Sequence, residues 1–189
     1  MIVIVPYREE WPADFATLAK QLSGEGGGKL LAIHHIGSTA VPGLAAKDII
    51  DIQLTVVDIA TARSLSLSGA DRVPHLTTDH CPPGMALPPE ELEKAFYRGK
   101  GRAANVHARI AGRFNQRYPL LCRDYLRAHP TAANAYGKIK IELARLFPED
   151  AESYYDIKDP VFDLMMAQAE EWAAQTGWSA PLGDWPVTT

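Results

Sequence analysis

The densest chemistry in the chain lies in one stretch, His35-Ile36-Gly37-Ser38-Thr39-Ala40-Val41-Pro42-Gly43-Leu44-Ala45-Ala46-Lys47-Asp48-Ile49-Ile50-Asp51-Ile52. An apolar segment runs into Gly37-Ser38-Thr39, a short connection follows, and the next apolar segment carries Asp51. Glycine lets a backbone come close to a phosphate, and two hydroxyls with the N–H groups of the turn can donate to its oxygens. A carboxylate on the neighbouring strand can hold Mg²⁺ against those oxygens. Lys47, just past the loop, has the length to reach a phosphate. Read plainly, the same residues make a turn at the head of a helix, with Asp51 at a sheet end.

Three other groups carry candidate chemistry. His107 lies between Asn105 and Arg109 in an alternating segment, so the three share one face, suited to metal binding or acid–base work. His35 ends an apolar segment, where a histidine serves either as a hydrogen-bonded core residue or as a second proton-transfer group. Arg123 and Asp124 fit an ion pair on a helix, although Arg123, Arg127 and Lys140 can also add charge to a phosphate pocket. His75, His80 and Cys81 lack the paired spacing of a four-ligand zinc site. Cys122, inside a helical segment, reads as a core thiol.

The elements that must position these groups are legible in outline. Residues 2–5 form a short strand or extended arm closed by Pro6. Trp11, Phe15, Leu18 and Leu22 recur at helical spacing behind Pro12, and Ser23 to Gly28 breaks that helix. Leu30 to Ile36 reads as a buried strand. Residues 49–57 give the clearest strand, with Ile50, Ile52, Leu54 and Val56 toward the core and Asp51, Gln53 and Thr55 on a polar face open for chemistry. Asp48, three residues from Asp51, falls on the opposite face. Residues 58–68 predict a helix capped by Asp58. The Pro-rich stretch 69–89 reads as one long loop, of the kind that serves as a lid or binding loop or stays disordered. Glu91–Arg98 and Ala103–Ile110 are strands joined by Gly99-Lys100-Gly101.

The C-terminal third is helical. One helix runs over Pro119–Arg127. A second is capped by Thr131, with a stripe of Ala132, Tyr136, Ile139, Leu143 and Leu146; a third is opened by Asp159-Pro160. Lys158 and Tyr154 form an i, i+4 pair, and the tail from Trp178 to Thr189 is irregular. This order gives an α+β domain with a mixed sheet.

Composition narrows the class of protein. With 189 residues, the chain fits one domain that needs no staples. A net charge of −4, without a basic stripe interleaved with aromatics, argues against nucleic acid or an anionic membrane as partner. Two cysteines are too few for a disulfide scaffold. Met1–Pro6 is too short for a signal peptide, and no run of about 20 apolar residues could span a membrane, so the expected location is cytoplasmic.

The stretch His35–Ile52 resembles the signature of the GrpB family, HIGSTAVPGL-x-x-K-x-I-I-D-I. Further matches follow in order: Val5-Pro6-Tyr7, Trp11-Pro12, Val106-His107, Arg123 to Arg127, Tyr136, Ile139-Lys140, Tyr154, Lys158 and Trp172. The family is similar to the nucleotidyltransferase superfamily of DNA polymerase β, and some members are fused to dephospho-CoA kinase. The resemblance implies a nucleotidyltransferase-like fold over residues 1–175, a mixed sheet flanked by helices with a C-terminal helical part, followed by an irregular tail at 176–189.

That superfamily carries Gly-Ser after one strand, two carboxylates two apart on the next, and a third on a later strand. Gly37 and Ser38 match the first feature and Asp51 the second. Gln53 stands where the second acid belongs, and Asn105, His107 and Arg109 offer no third. Two-metal transfer needs anionic oxygens to hold both ions about 4 Å apart, so Asp51 with Gln53 holds at most one Mg²⁺. The resemblance thus implies an enzyme acting on a nucleotide or other phosphate-bearing small molecule. Gly37, Ser38, Thr39, Lys47, Arg123 and Lys140 would bind phosphate, and Asp51 and His107 would do the chemistry. Two alternatives stand beside it: a pocket reused for other chemistry with His35 and His107 as acid and base, or a phosphate-sensing module without turnover.

Overall fold

The computed structural model describes residues 1–187. Five strands form one mixed sheet: β1 (Ala32–Ile36), β2 (Ile50–Val56), β3 (Ala70–Arg72), β4 (Lys94–Gly99) and β5 (Ala104–Ile110), in the order β1-β2-β5-β4-β3. Only β2 and β5 run parallel, and they set Asp51 beside Asn105 and Gln53 beside His107. Antiparallel pairing of β1 with β2 brings Ile36 opposite Asp51, and pairing of β4 with β5 brings Phe96 opposite His107. The expected α+β class with a mixed sheet flanked by helices is the one observed.

One face of the sheet carries α1 (Trp11–Gly26) and α2 (Ile59–Ser64). Ile50, Ile52, Leu54 and Val56, fully buried, pack there with Trp11, Phe15 and Leu22, as the alternation requires. Each such side chain taken out of water stabilises the fold by about 1.5–3 kcal/mol. Asp58 caps α2, its Oδ1 accepting the Thr61 N–H at 2.6 Å. The first helix runs through Ser23 and stops only where Gly27 takes a positive φ of 53°, so the expected break at Ser23 falls three residues late. The arm at the N-terminus is extended and joins the rest through a bridge between Val5 and Ala46.

On the opposite face α3 (Phe114–Ala128) packs on β1 and β5, and α4 (Pro130–Leu146) and α5 (Ala151–Thr176) pack on α3 and on each other. Three details differ from the sequence reading. First, α3 starts five residues before Pro119, because Glu91 supplies an external cap, accepting the Phe114 N–H at 2.7 Å and pairing with Arg113. Second, α4 is entered through Pro130 with no side-chain cap, so Thr131 lies inside it. Its buried face is Ala133, Tyr136, Gly137, Lys140, Leu143 and Ala144, which leaves Ile139 at 36% and Leu146 at 57% exposure. Third, Asp150 caps α5 through the Ser153 N–H at 3.0 Å, and Pro160 lies within the helix. Proline deletes one helical hydrogen bond there, and α5 continues past it.

The Pro-rich stretch is not one free loop. It contains β3, Val73 N–H donates to Phe96 O at 2.8 Å, and Thr78 bridges Glu93, so it follows the edge of β4. His80 then pairs with Asp163 of α5 at 2.8 Å. Beyond α5 the tail has no helix, but it returns to the sheet, where the N–H groups of Asp184 and Trp185 donate to Ile33 O. The last two residues of the expected 176–189 tail lie outside the described residues. Among the described residues, no helix is long and apolar enough to cross a membrane.

Candidate functional site

A cavity of about 710 Å³ opens between the amino end of β2, beside the turn that follows β1, and the helices α4 and α5. The turn after β1 supplies Gly37, Ser38 and Thr39; β2 supplies Asp51; β5 supplies Asn105 and His107. Lys47 enters from the connection between β1 and β2, and Lys140 from the buried face of α4. Of the residues singled out from the sequence, Gly37, Ser38, Thr39, Lys47, Asp51, His107 and Lys140 therefore meet in one place.

Asp51 stands at the floor, its side chain 28% exposed, with Oδ1 accepting from Asn105 Nδ2 at 2.9 Å. His107 Nε2 is 3.9 Å from the same oxygen. The other ring nitrogen, Nδ1, faces Arg109 Nη2 at 3.2 Å. A guanidinium can only donate, so Nδ1 accepts and the proton of the neutral ring sits on Nε2, toward Asp51. Burial, reinforced by the Arg109 charge, pushes His107 down to about 4, so the ring is neutral at physiological pH. Burial alone would raise the Asp51 carboxyl; His107, Asn105 and the charge of Lys47 outweigh it and hold the group below the usual range. The pair is thus a carboxylate base and a neutral N–H donor.

Arg109 is fixed from behind. Its guanidinium grips Asp79 through Nε at 2.8 Å and Nη2 at 2.9 Å, and donates to Gln53 Oε1 at 2.8 Å. Asp79 also accepts from Lys94 at 2.6 Å and Asn115 at 3.0 Å, and the charges of Arg109 and Lys94 hold its carboxyl far below the usual range against burial. Sequence reading missed Asp79, Lys94 and Arg98. For the last two a signal exists: Lys94, Phe96 and Arg98 alternate on β4, opposite Arg109, His107 and Asn105, so one face of the hairpin is shared.

Lys140 is 3% exposed, with Nζ 2.8 Å from Ser38 Oγ and 2.6 Å from Ala45 O. Burial, with Lys158 and Lys47 nearby, lowers it to about 7. Lys47 bonds the Tyr155 hydroxyl, and Lys158 pairs with Asp159 at 2.5 Å. Tyr154 is fully buried beside them, and its hydroxyl is pushed up to about 12 by burial.

Three expected site residues lie elsewhere. His35 is stacked on Phe15 at 4.7 Å and its Nε2 bonds Thr39 Oγ1 at 3.0 Å, so it orients the turn from within the core rather than facing the cavity. Gln53 is fully buried under α3; Nε2 donates to Gln116 O and Oε1 accepts from Arg109, so the amide is spent and the polar face of β2 is open only at Asp51. Arg123 is buried behind β1, bonded to His35 O at 2.8 Å, Asp184 at 2.5 Å and Asp124 at 2.8 Å, and cannot reach a ligand in the cavity. Asp48 sits on the far side, as expected, bonded to Arg8, Trp11 and Arg102.

The donor set does not suit Mg²⁺. Such an ion is ordinarily held by carboxylates together with phosphate oxygens. Here the other carboxylate of the cavity, Asp159, is paired with Lys158, Gln53 is turned away, and Lys47 and Lys140 are the lysine cations facing Asp51. Among the described residues, no cluster of three His, Cys, Asp or Glu exists that could hold a metal.

The family model described as GrpB protein matches residues 1–168. The chain belongs to the GrpB family. The structure of the conserved protein GrpB from Enterococcus faecalis superposes with a TM-score of 0.71 at 26% identity, covering 94% of this chain and all of that one. A dephospho-CoA kinase of Mycolicibacterium paratuberculosis is 34% identical over 93% of this chain, but the match takes in only 47% of that protein. The UPF0157 protein BH1888 of Halalkalibacterium halodurans is 32% identical over 89% of this chain and 82% of its own length. The chain thus spans about half the length of the kinases it resembles. This GrpB protein builds its cavity around the turn of Gly37, Ser38 and Thr39.

Proposed function

We propose that this GrpB protein is an enzyme whose cavity takes a phosphate-bearing small molecule, of nucleotide size, and that Asp51 serves as proton acceptor beside the His107 N–H. The observation that carries the reading is the gathering of Lys47, Arg98, Lys140 and Lys158 around Ser38 in a cavity whose own carboxylates are Asp51 and Asp159. Such a site attracts anions and fixes their oxygens with charge-assisted hydrogen bonds. The volume lies in the range of small-molecule sites, and Tyr155 and Phe162 give the mouth an apolar wall for the rest of the ligand. Ionised Asp51 can take a proton from an attacking hydroxyl, while His107 Nε2–H can donate to an oxygen that gains charge. The nucleotidyltransferase resemblance and the kinase names among the relatives place nucleotides and dephospho-CoA first among the probes.

A thermal-shift screen of nucleotides, dephospho-CoA and sugar phosphates tests this. A ligand at 100 times its Kd stabilises by about 2.7 kcal/mol, a readily visible shift. At least one compound is expected to shift the native protein, and its turnover is expected to vanish in Asp51→Asn with melting changed by only a few degrees. If no phosphate compound stabilises the folded protein, the reading is wrong.

A further inference from the structure

Building on that reading, we propose that the site engages its phosphate group without a divalent metal: Lys140, Lys47 and Arg98 supply the positive charge, and Ser38 fixes the oxygens. The strongest support is Lys140. Its amine is nearly sealed from solvent and contacts a hydroxyl, a backbone carbonyl and the Tyr136 ring at 4.7 Å; Asp51 opposes its charge from a distance, but among the described residues no carboxylate pairs with it directly. A buried cation is costly unless a counter-charge meets it. The Lys140–Ser38 pair borders the cavity, so the counter-charge that completes it is an anion placed there.

Lys47, half-buried, and Arg98, exposed, likewise border the cavity. Lys47 bonds a tyrosine hydroxyl, and Arg98 lies over the Phe96 ring at 5.5 Å; neither has a carboxylate partner among the described residues. Lys94 and Lys158, in contrast, pair directly with carboxylates, Asp79 (which Arg109 shares) and Asp159. Three unmatched cations against Asp51 leave an excess that suits a phosphate dianion or a diphosphate. The position of a metal is meanwhile compromised on both sides of Asp51. Oδ1 is bonded to Asn105, and Oδ2 packs against Gly37. A dication at this carboxylate would also meet the charges of Lys47 and Lys140.

Calorimetric titration of the full chain with inorganic pyrophosphate, once in EDTA and once in excess Mg²⁺, decides the matter. Saturable binding in EDTA is expected, within about threefold of the affinity with Mg²⁺, a difference well under the tenfold that marks one lost strong contact. Lys140→Met should weaken it about 10–100-fold, the loss of one charge-assisted contact, and Lys140→Arg should restore part. Because Lys140 is buried, Lys47→Met and Arg98→Met, at more open positions, should each weaken binding as well. Binding that appears only with Mg²⁺ overturns this inference and leaves the phosphate site standing. Absence of binding in both buffers, for pyrophosphate and for every compound of the thermal screen, removes both.

Discussion

The Asp51 carboxylate occupies the space that a side chain at Gly37 would need: a Cβ built there stands 2.5 Å from Asp51 Oδ2 and 2.9 Å from Asp51 Cβ. Gly37 also holds φ at 70° with ψ at −170°, a region that is essentially glycine's own and costs another residue about 1–3 kcal/mol. The glycine of the signature turn is therefore as much a requirement of Asp51 as of any ligand. Gly37→Ala is expected to destabilise by at least about 2 kcal/mol and to displace the carboxylate. Combining it with Asp51→Gly removes the collision but not the backbone strain, so urea unfolding should show a coupling of about 1 kcal/mol. Strict additivity of the two changes would refute the contact.

Acid should unfold this protein through its buried histidines. His35 and His107 are both pushed down to about 4, mainly by burial, whereas in the unfolded chain each titrates near 6.5. Between those values the unfolded chain binds more protons, so stability is complete above about pH 6.5 and falls as pH drops toward 4. The loss reaches up to about 3 kcal/mol per histidine. Unfolding midpoints across that range should fall steeply in the native protein and less so in His107→Gln; parallel curves would show that His107 is not buried as a neutral ring.

Lys140 trades stability for function. Its amine is lowered to about 7 by burial, by Lys158 of α5 and by Lys47, with Asp51 of β2 as the one opposing charge. The unfolded chain holds that proton up to about 10.5, so this group makes stability rise with pH from about 7 to about 10.5. Lys140→Met keeps the stem and removes the charge. It is expected to stabilise the apo protein by about 1–3 kcal/mol near neutral pH and to flatten the alkaline rise. A destabilised variant would show that the lysine is structural.

The guanidinium of Arg123 is sealed between two carboxylates, Asp124 and Asp184. Asp184→Ala leaves a buried cation with one partner and frees the His35 N–H that Asp184 also accepts. A loss of about 2–3 kcal/mol is expected, below the about 3–5 kcal/mol typical when a buried pair loses its only partner. Urea midpoints within about 0.5 kcal/mol of the native protein, the scatter of ordinary surface changes, would mean that Asp124 alone suffices.

Much of the site was readable before any coordinates. The alternation of β2 placed Asp51 and Asp48 on opposite faces, and that of β5 aligned Asn105, His107 and Arg109. Both follow from the two-residue period of a strand, which is local. What stayed hidden depends on partners remote in sequence. Gln53 looked available because nothing near it announces that α3 covers that half of the strand, with its amide bonded to Gln116. Arg123 looked like a phosphate ligand because Asp184 lies 61 residues away. The apolar stripe on α4 is right at Tyr136 and Leu143 but takes Ile139 where Lys140 is the buried residue, since a buried lysine is the exception that hydrophobic patterning cannot anticipate. Pro160 misled for a similar reason: the cap of α5 was already provided at Asp150.

The returning tail has a consequence for how copies of this chain meet one another. β1 ends the sheet, all five of its residues are buried, and Asp184 and Trp185 cover its outer edge at Ile33. An uncovered edge strand of that composition is a template for a foreign strand and hence for aggregation. The family match ends at residue 168, before this segment. A chain cut back to the matched region would keep the residues that line the cavity, but it would lose the end of α5 and the Asp184 partner of Arg123 and lay the edge of β1 open to self-association.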